Sequence, residues 1–336
     1  MIIRLSPHIT PDTSAQLHDQ LQALQCSVHA VTTQSASYLV CPGPPSIDLR
    51  RVGFLPGVAD VHAVSETYQL VSGSWKTQRT TIDLGDGVQI GGGHFALMAG
   101  TCSIENETQI QDTVAHLVQQ GIRIMRGGVF KPRSSPYAFR GLGMEGLQLF
   151  YQHCRQAGIK IITEVMQPAQ IDQMYAYTDI FQVGARNAQN FNLLGELGQQ
   201  DKAVLIKRGI SGTIEELLQS AEYVFSAGNE RILLCERGIR TFETAYRNTF
   251  DINAIPLLKA RTHLLVIADP SHGTGIRNLV MPVALAAAMA GADGLLYETH
   301  SQPELALSDG QQSLSHEESA ELVARLRQIL PFCCRS

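Results

Sequence analysis

Four residues of metal-ligating type stand at the ends of apolar runs. They are Cys102 after "FALMAG", His272 after "LLVIADPS", Glu298 within "GLLYETH", and Asp309 in the "LALSDGQQ" that follows. A thiolate, an imidazole and two carboxylates brought together would hold a divalent metal, and their mixed softness suits Mn, Fe, Co or Zn better than Mg or Ca. Taken singly, Cys102 reads as a small buried hydrophobe; convergence is what makes it a ligand. A second set is cationic: Arg126, Lys131, Arg133, Arg186, Lys207, Arg208 and Arg237. Gathered at one place these would repel one another unless neutralised. Neighbouring carboxylates (Glu145, Glu164, Glu196, Glu236) are one source of neutralisation, and a bound polyanion is the other. Guanidinium forks match phosphate or carboxylate, and lysines add point charges. The two sets together point to chemistry between an anionic substrate and a metal-activated electrophile.

The elements that must position them are legible from Phe95 onward. Short apolar runs recur: "FALMAG", "IRIMRG", "IKIITEV", "IFQVGA", "AVLIKRG", "RILLCERG", "LLVIADPS" and "GLLYETH", each followed by a helical stretch. Helix starts are marked by Pro168, by Thr213 with Glu216, and by Ser315 with Glu318. Eight such pairs predict a (β/α)8 TIM barrel of buried parallel strands. In a barrel the C-terminal ends of the strands form the catalytic face, and the polar residues fall there. A closed barrel also makes the first and eighth strands neighbours, which joins Cys102 to Glu298. A doubly wound open sheet would need a glycine-rich phosphate turn after the first strand, and "AGTCSIEN" is not one.

Residues 1–65 read differently. Four β-branched runs separated by two helical patterns, the first with Leu17, Leu21 and Leu24 on one stripe, predict a ferredoxin-like β-α-β-β-α-β unit. Residues 66–80 are polar and aperiodic, a linker, and residues 81–336 form the barrel domain. That domain opens with a short β-hairpin around the Gly-Asp-Gly of "TIDLGDGVQIGGG".

Composition narrows the partners. The net charge of -5 excludes the broad basic field that nucleic acid or an anionic membrane selects. Seven cysteines, scattered and without CxxC spacing, argue for a reducing compartment. The N-terminus has no basic flank leading into a long apolar run. A cytoplasmic protein is expected.

The segments "AGTCSIEN", "RGGVFKPRSSPYAFRGLG", "QVGARNAQNF", "LIKRG", "ILLCERGIRTFE", "ADPSHGTG" and "ALSDGQQSL" together resemble the 3-deoxy-D-arabino-heptulosonate 7-phosphate synthases, over nearly all of residues 80–325. The small N-terminal unit resembles the regulatory domain of one branch of that family. The resemblance implies a metal-dependent condensation of phosphoenolpyruvate with erythrose 4-phosphate, in a homotetramer, at the head of aromatic amino acid biosynthesis. It also implies roles for single residues. Cys102, His272, Glu298 and Asp309 match the metal ligands. Arg186 and Arg237 match the residues at the phosphoenolpyruvate phosphate, and Arg126 and Lys207 those at its carboxylate. Lys131, Pro132, Arg133 and Ser134 match the segment that receives the sugar phosphate, with Ser134 in place of the usual Thr. Pro132 and Pro136 would stiffen that loop so that Lys131 reaches the reacting centre. Lys131 would protonate the developing alkoxide, while Glu164 and His272 would position a water. Thr101 replaces a usual proline, and Ile276-Arg277 replaces a usual pair of arginines.

Two other readings compete. The related octulosonate 8-phosphate synthases typically carry Lys-Ala-Asn-Arg-Ser at the sugar loop, and Lys131-Pro132-Arg133 departs from that. A catalytically silent regulator would not need the full set of ligands and cations. Residues 1–65 are expected to bind Tyr or Phe and to suppress turnover by covering the mouth.

Overall fold

The computed structural model describes residues 1–42, 47–131, 135 and 137–333. Near the N-terminus, β1 (Ile2–Leu5), β2 (His29–Thr32), β3 (Ser37–Val40) and β4 (Val58–His62) form an antiparallel sheet in the order β2-β3-β1-β4. Helices α1 (Pro11–Ala23) and α2 (Leu49–Gly53) complete the anticipated β-α-β-β-α-β order. Alternation along β1 divides the sheet into two faces. Ile3 and Leu5 pack with Leu17, Leu21 and Val52, whereas Ile2 turns to the other side with Val31, Tyr38 and Val40.

That second face docks on the remainder of the chain. Tyr38 meets Trp75 edge-on with ring centroids 5.5 Å apart, and meets Phe225 at 6.3 Å. The Glu230 amide donates to the Gln34 side chain at 3.2 Å, and Gln34 in turn donates to the Gln200 carbonyl at 3.4 Å. Residues 200 and 230 precede barrel strands, so the sheet lies at the end of the barrel opposite its mouth. This corrects the expectation that the unit covers the mouth of its own chain. Residues 66–80 are tied down as well. The Glu222 carboxylate accepts from the amides of Leu70 and Val71 at 2.9 and 3.0 Å, and Trp75 donates its ring N–H to the Gln69 carbonyl at 2.9 Å.

The hairpin β5 (Ile82–Asp83) and β6 (Gln89–Ile90) follows, and then the eight parallel strands. These are β7 (Ala96–Gly100), β8 (Ile124–Arg126), β9 (Lys160–Glu164), β10 (Ile180–Val183), β11 (Ala203–Lys207), β12 (Ile232–Glu236), β13 (Leu265–Ala268) and β14 (Gly294–His300). Pairing runs through the sequence of strands, and β14 bonds to both β7 and β13, which closes the ring. The open-sheet alternative is thereby excluded. The enclosing helices are α3 (Glu107–Gln120), α4 (Gly143–Gln156), α5 (Ile171–Tyr175), α6 (Phe191–Gly198), α7 (Ile214–Ser226), α8 (Ala254–Arg261), α9 (Pro270–Thr274), α10 (Arg277–Met289) and α11 (His316–Ile329). Both anticipated capping boxes are formed: Thr213 with Glu216 opens α7, and Ser315 with Glu318 opens α11.

Candidate active site

Seven of the eight barrel strands change character along the inward face. Ile124 is followed two residues on by Arg126, Ile162 by Glu164, Ile180 by Gln182, Leu205 by Lys207, Cys235 by Arg237, Ile267 by Asp269, and Leu296 by Glu298. The first member of each pair belongs to a dry interior cluster. The second member is buried at the C-terminal rim.

On one side of that rim, ligand atoms of Cys102, Glu298 and Asp309 all lie within 4.8 Å of one another. His272 Nε2 is 3.5 Å from Glu298 Oε1 and 3.9 Å from Asp309 Oδ2. The neighbourhood of β7 and β14 produces this meeting, with Glu298 in register with Gly100. A soft thiol beside an imidazole and two carboxylates is a donor set that fits a divalent transition metal. Cys102 Sγ donates to Asp309 Oδ2 at 3.2 Å, and Lys131 Nζ donates to Cys102 Sγ and to the Cys102 carbonyl, both at 3.0 Å. Gly128 permits that approach, since a Cβ there would stand 2.7 Å from the Lys131 chain. Burial, reinforced by Glu298, pushes the Cys102 thiol up to about 12. Burial also opposes ionisation of Asp309 and Glu298, yet both lie below their usual range, Asp309 through Arg247 and His272, and Glu298 through His272 and Arg126. Asp309 adopts a left-handed backbone at φ 52°, a conformation that costs a non-glycine residue roughly 1–3 kcal/mol. Arg247, 3.2 Å from Asp309, and Arg277, which donates to the Gly310 carbonyl at 3.0 Å, hold the loop there.

The remaining rim residues face a cavity of about 210 Å³. It is lined by Arg126, Lys131, Glu164, Arg186, Lys207 and Arg237, together with His272 and Asp309. Arg126 stands at the seam between the two sets, ion-paired to Glu298, while its Nε is buried without a hydrogen-bond partner. Lys207 Nζ donates to Asp269 at 2.6 Å. Burial lowers the Arg237 pKa against the pull of Asp269. Among the described residues, Arg186 and Arg237 make no ion pair with a carboxylate; Arg237 Nη1 donates to the Gly238 carbonyl at 3.2 Å, and both side chains line the cavity. Glu164 fits only because residue 184 is glycine: a Cβ there would fall 2.1 Å from Glu164 Oε1.

Arg208 is a correction to the sequence reading. It turns outward to Glu236 at 2.9 Å and Asp251 at 3.0 Å, because it follows Lys207 and alternation sends it to the other face. Pro132, Arg133, Ser134 and Pro136 lie outside the described residues. Four contributors escaped the sequence reading. Arg240 and Arg247 enter the cavity from the loop after β12, Gln312 donates to Glu298 Oε2 at 2.6 Å, and Asp269 bridges Lys207 and His272. Asp269 had a visible signal, since it ends the seventh run as the other polar residues end theirs. The loop residues had none.

Comparison with known proteins adds the chemistry. The profile of the DAHP synthetase I family matches residues 76–330. A phospho-2-dehydro-3-deoxyheptonate aldolase of Thermotoga maritima is 47% identical over 272 residues, 81% of this chain and 80% of the relative. A 2-dehydro-3-deoxyphosphooctonate aldolase of Francisella tularensis is 30% identical over 261 residues, 72% of this chain and 94% of the relative. The crystal structure of phospho-2-dehydro-3-deoxyheptonate aldolase (DAHP synthase) from Thermotoga maritima superposes with a TM-score of 0.78 at 40% identity, covering 98% of this chain and 97% of the other. A truncated form of the Thermotoga maritima 3-deoxy-D-arabino-heptulosonate 7-phosphate synthase gives 0.74 at 43% identity, covering 80% and 98%.

Proposed function

The chain belongs to the DAHP synthetase I family and condenses phosphoenolpyruvate with erythrose 4-phosphate, the entry reaction of aromatic biosynthesis; from that premise we propose which residues perform each step. Enzymes of this family depend on a divalent metal. Here Cys102, His272, Glu298 and Asp309 would hold it, with Mn, Fe, Co or Zn as candidates. When bound it supplies Lewis acidity to the aldehyde of the four-carbon sugar.

The chain's own residues do the rest. Arg186 and Arg237, which make no ion pair with a carboxylate among the described residues, hold the phosphate of phosphoenolpyruvate. Arg126 offers its unpartnered Nε to the carboxylate, and Lys207 adds the donors that Asp269 leaves unused. This places the methylene carbon toward the aldehyde. As the carbon–carbon bond forms, Lys131, resting beside Cys102, delivers a proton to the developing alkoxide oxygen. Water, positioned by Glu164, adds to the cationic carbon, and phosphate leaves from the same carbon; His272, with Nδ1 on Asp269 and Nε2 toward Glu298 and Asp309, has no ring nitrogen left for that water. Arg133 and Ser134 would grip the sugar phosphate beyond Lys131.

The observation that carries this reading is that seven cations and two metal-ligand residues line one cavity. The test is phosphate release from phosphoenolpyruvate with erythrose 4-phosphate or arabinose 5-phosphate, with chelator and metal add-back. Release with erythrose 4-phosphate, abolished by chelator and restored by metal, is expected. Preference for arabinose 5-phosphate would favour the octulosonate reaction of the Francisella relative, and no release under any condition would favour a silent regulator.

Three further assignments belong to the same reading. Residues 1–65 form a regulatory domain, 66–80 a linker and 81–336 the catalytic barrel. Tyr or Phe binding to the regulatory domain lowers turnover, which titration of each amino acid into the assay would test; since the sheet lies away from its own mouth, the effect would act through movement or a second copy. The protein works as a cytoplasmic homotetramer. No helix among the described residues is long and apolar enough to cross a membrane.

A further inference from the structure

Asp269 is fully buried at the end of β13, and its two oxygens serve three donors. Oδ1 accepts from the His272 amide at 2.9 Å. Oδ2 lies 2.8 Å from His272 Nδ1 and 2.6 Å from Lys207 Nζ. One carboxylate oxygen thus touches both a metal-ligand residue and a cation of the substrate cavity. We propose that Asp269 is a positioning residue that sets His272 for the metal and Lys207 for phosphoenolpyruvate at once, so that the two halves of the mouth share one anchor. The proposal rests on the roles assigned to His272 and Lys207 above.

A carboxylate beside Nδ1 fixes the proton there, which leaves the Nε2 lone pair directed at the space between Glu298 and Asp309. The same negative charge compensates the ammonium of Lys207, which is itself buried and has no other carboxylate partner among the described residues. A purely structural role, capping α9 through the His272 amide, would need only a neutral acceptor.

Asp269→Asn separates these roles, because it keeps shape and cap acceptor but removes the charge. In the full chain, Mn²⁺ is titrated alone and phosphoenolpyruvate is then titrated at saturating Mn²⁺, with circular dichroism monitoring the fold. The expected result is a loss of Mn²⁺ affinity of about 10- to 100-fold, and of phosphoenolpyruvate affinity of about tenfold, roughly 1.4 kcal/mol, with the fold intact. Asp269→Ser, which also retains a cap hydroxyl, serves if the Asn variant does not fold. Unchanged affinities, or loss of only one, would overturn the shared anchor. His272→Ala isolates the underlying assignment. If Mn²⁺ affinity survives that change, the metal site has been misassigned and this role falls with it; if it is lost there yet survives Asp269→Asn, only the role of Asp269 is wrong.

Discussion

At the N-terminal end of the barrel, Ile82 and Ile90 of the hairpin press onto Ala96, Met98, Ile124, Leu265 and Leu296, a dry cluster without a charge. Toward the C-terminal ends of the barrel strands, the inward positions are Arg126, Glu164, Lys207, Arg237, Asp269 and Glu298. Backbone and pleat are shared, so the difference lies in side chains alone. At the closed end every inward group lowers the free energy of folding by leaving water. At the mouth, buried ions meet a desolvation penalty that pairing only partly offsets. Arg237 is buried and makes no ion pair with a carboxylate among the described residues, a deficit that a bound anion would remove, whereas Arg186 stands exposed at the edge of the same cavity. One end holds the cylinder together, and the other is organised for a ligand.

Substitutions at each end should therefore separate activity from stability. The largest effect is expected at the mouth: Lys131→Met should lower kcat by about 10²- to 10⁴-fold while the unfolding midpoint stays in place. Steady-state phosphate release and thermal unfolding check this, and a loss of stability with kcat retained would invert the comparison. At the closed end, Ile90→Ala should cost about 2–5 kcal/mol of stability in denaturant titration, with kcat unchanged wherever the protein remains folded.

A smaller effect concerns His263, which precedes β13 at the closed end and meets Trp75 and Phe225 edge-on. It is hydrogen-bonded to Thr80 at 2.7 Å and to the Leu70 carbonyl at 2.9 Å. Burial, aided by Lys76, lowers its pKa to about 3. The unfolded chain binds a proton here near pH 6.5 and the folded chain does not. The contribution is therefore complete above pH 6.5 and is lost as pH falls toward 3, by up to about 1.4 kcal/mol per pH unit. Unfolding free energies measured between pH 7 and 5 should decline less steeply in His263→Gln than in the wild type.

Two glycines provide the smallest contrast. Gly184→Ala must displace Glu164 and should lower kcat by about tenfold, roughly 1.4 kcal/mol. Gly195, within α6, has nothing within 4 Å of an added Cβ. Its replacement by Ala should raise stability by about 0.5–1 kcal/mol and leave kinetics alone. Equal effects on kcat at the two positions would show that the rim is no more demanding than an ordinary helix.

The strands were legible because parallel barrel strands are buried on both faces and read as continuous apolar runs. The candidate rim residues were legible because a polar residue ending such a run has one place to go. Lys207 and Arg208 mark the limit: adjacent and alike in sequence, they part because alternation sends one inward and the other to Glu236. Arg240, Arg247 and Gln312 come from loops whose return to the rim follows no period. The docking of the N-terminal sheet depends on Tyr38, Trp75 and Phe225 meeting across more than 180 residues, and no local pattern encodes that contact.

A crystal of the full chain soaked with Mn²⁺ and phosphoenolpyruvate tests the central claim most directly. The expected result is an anomalous peak among Cys102, His272, Glu298 and Asp309, with the phosphate of phosphoenolpyruvate against Arg186 and Arg237. A peak away from those four residues, or a phosphate bound outside the mouth, would contradict it.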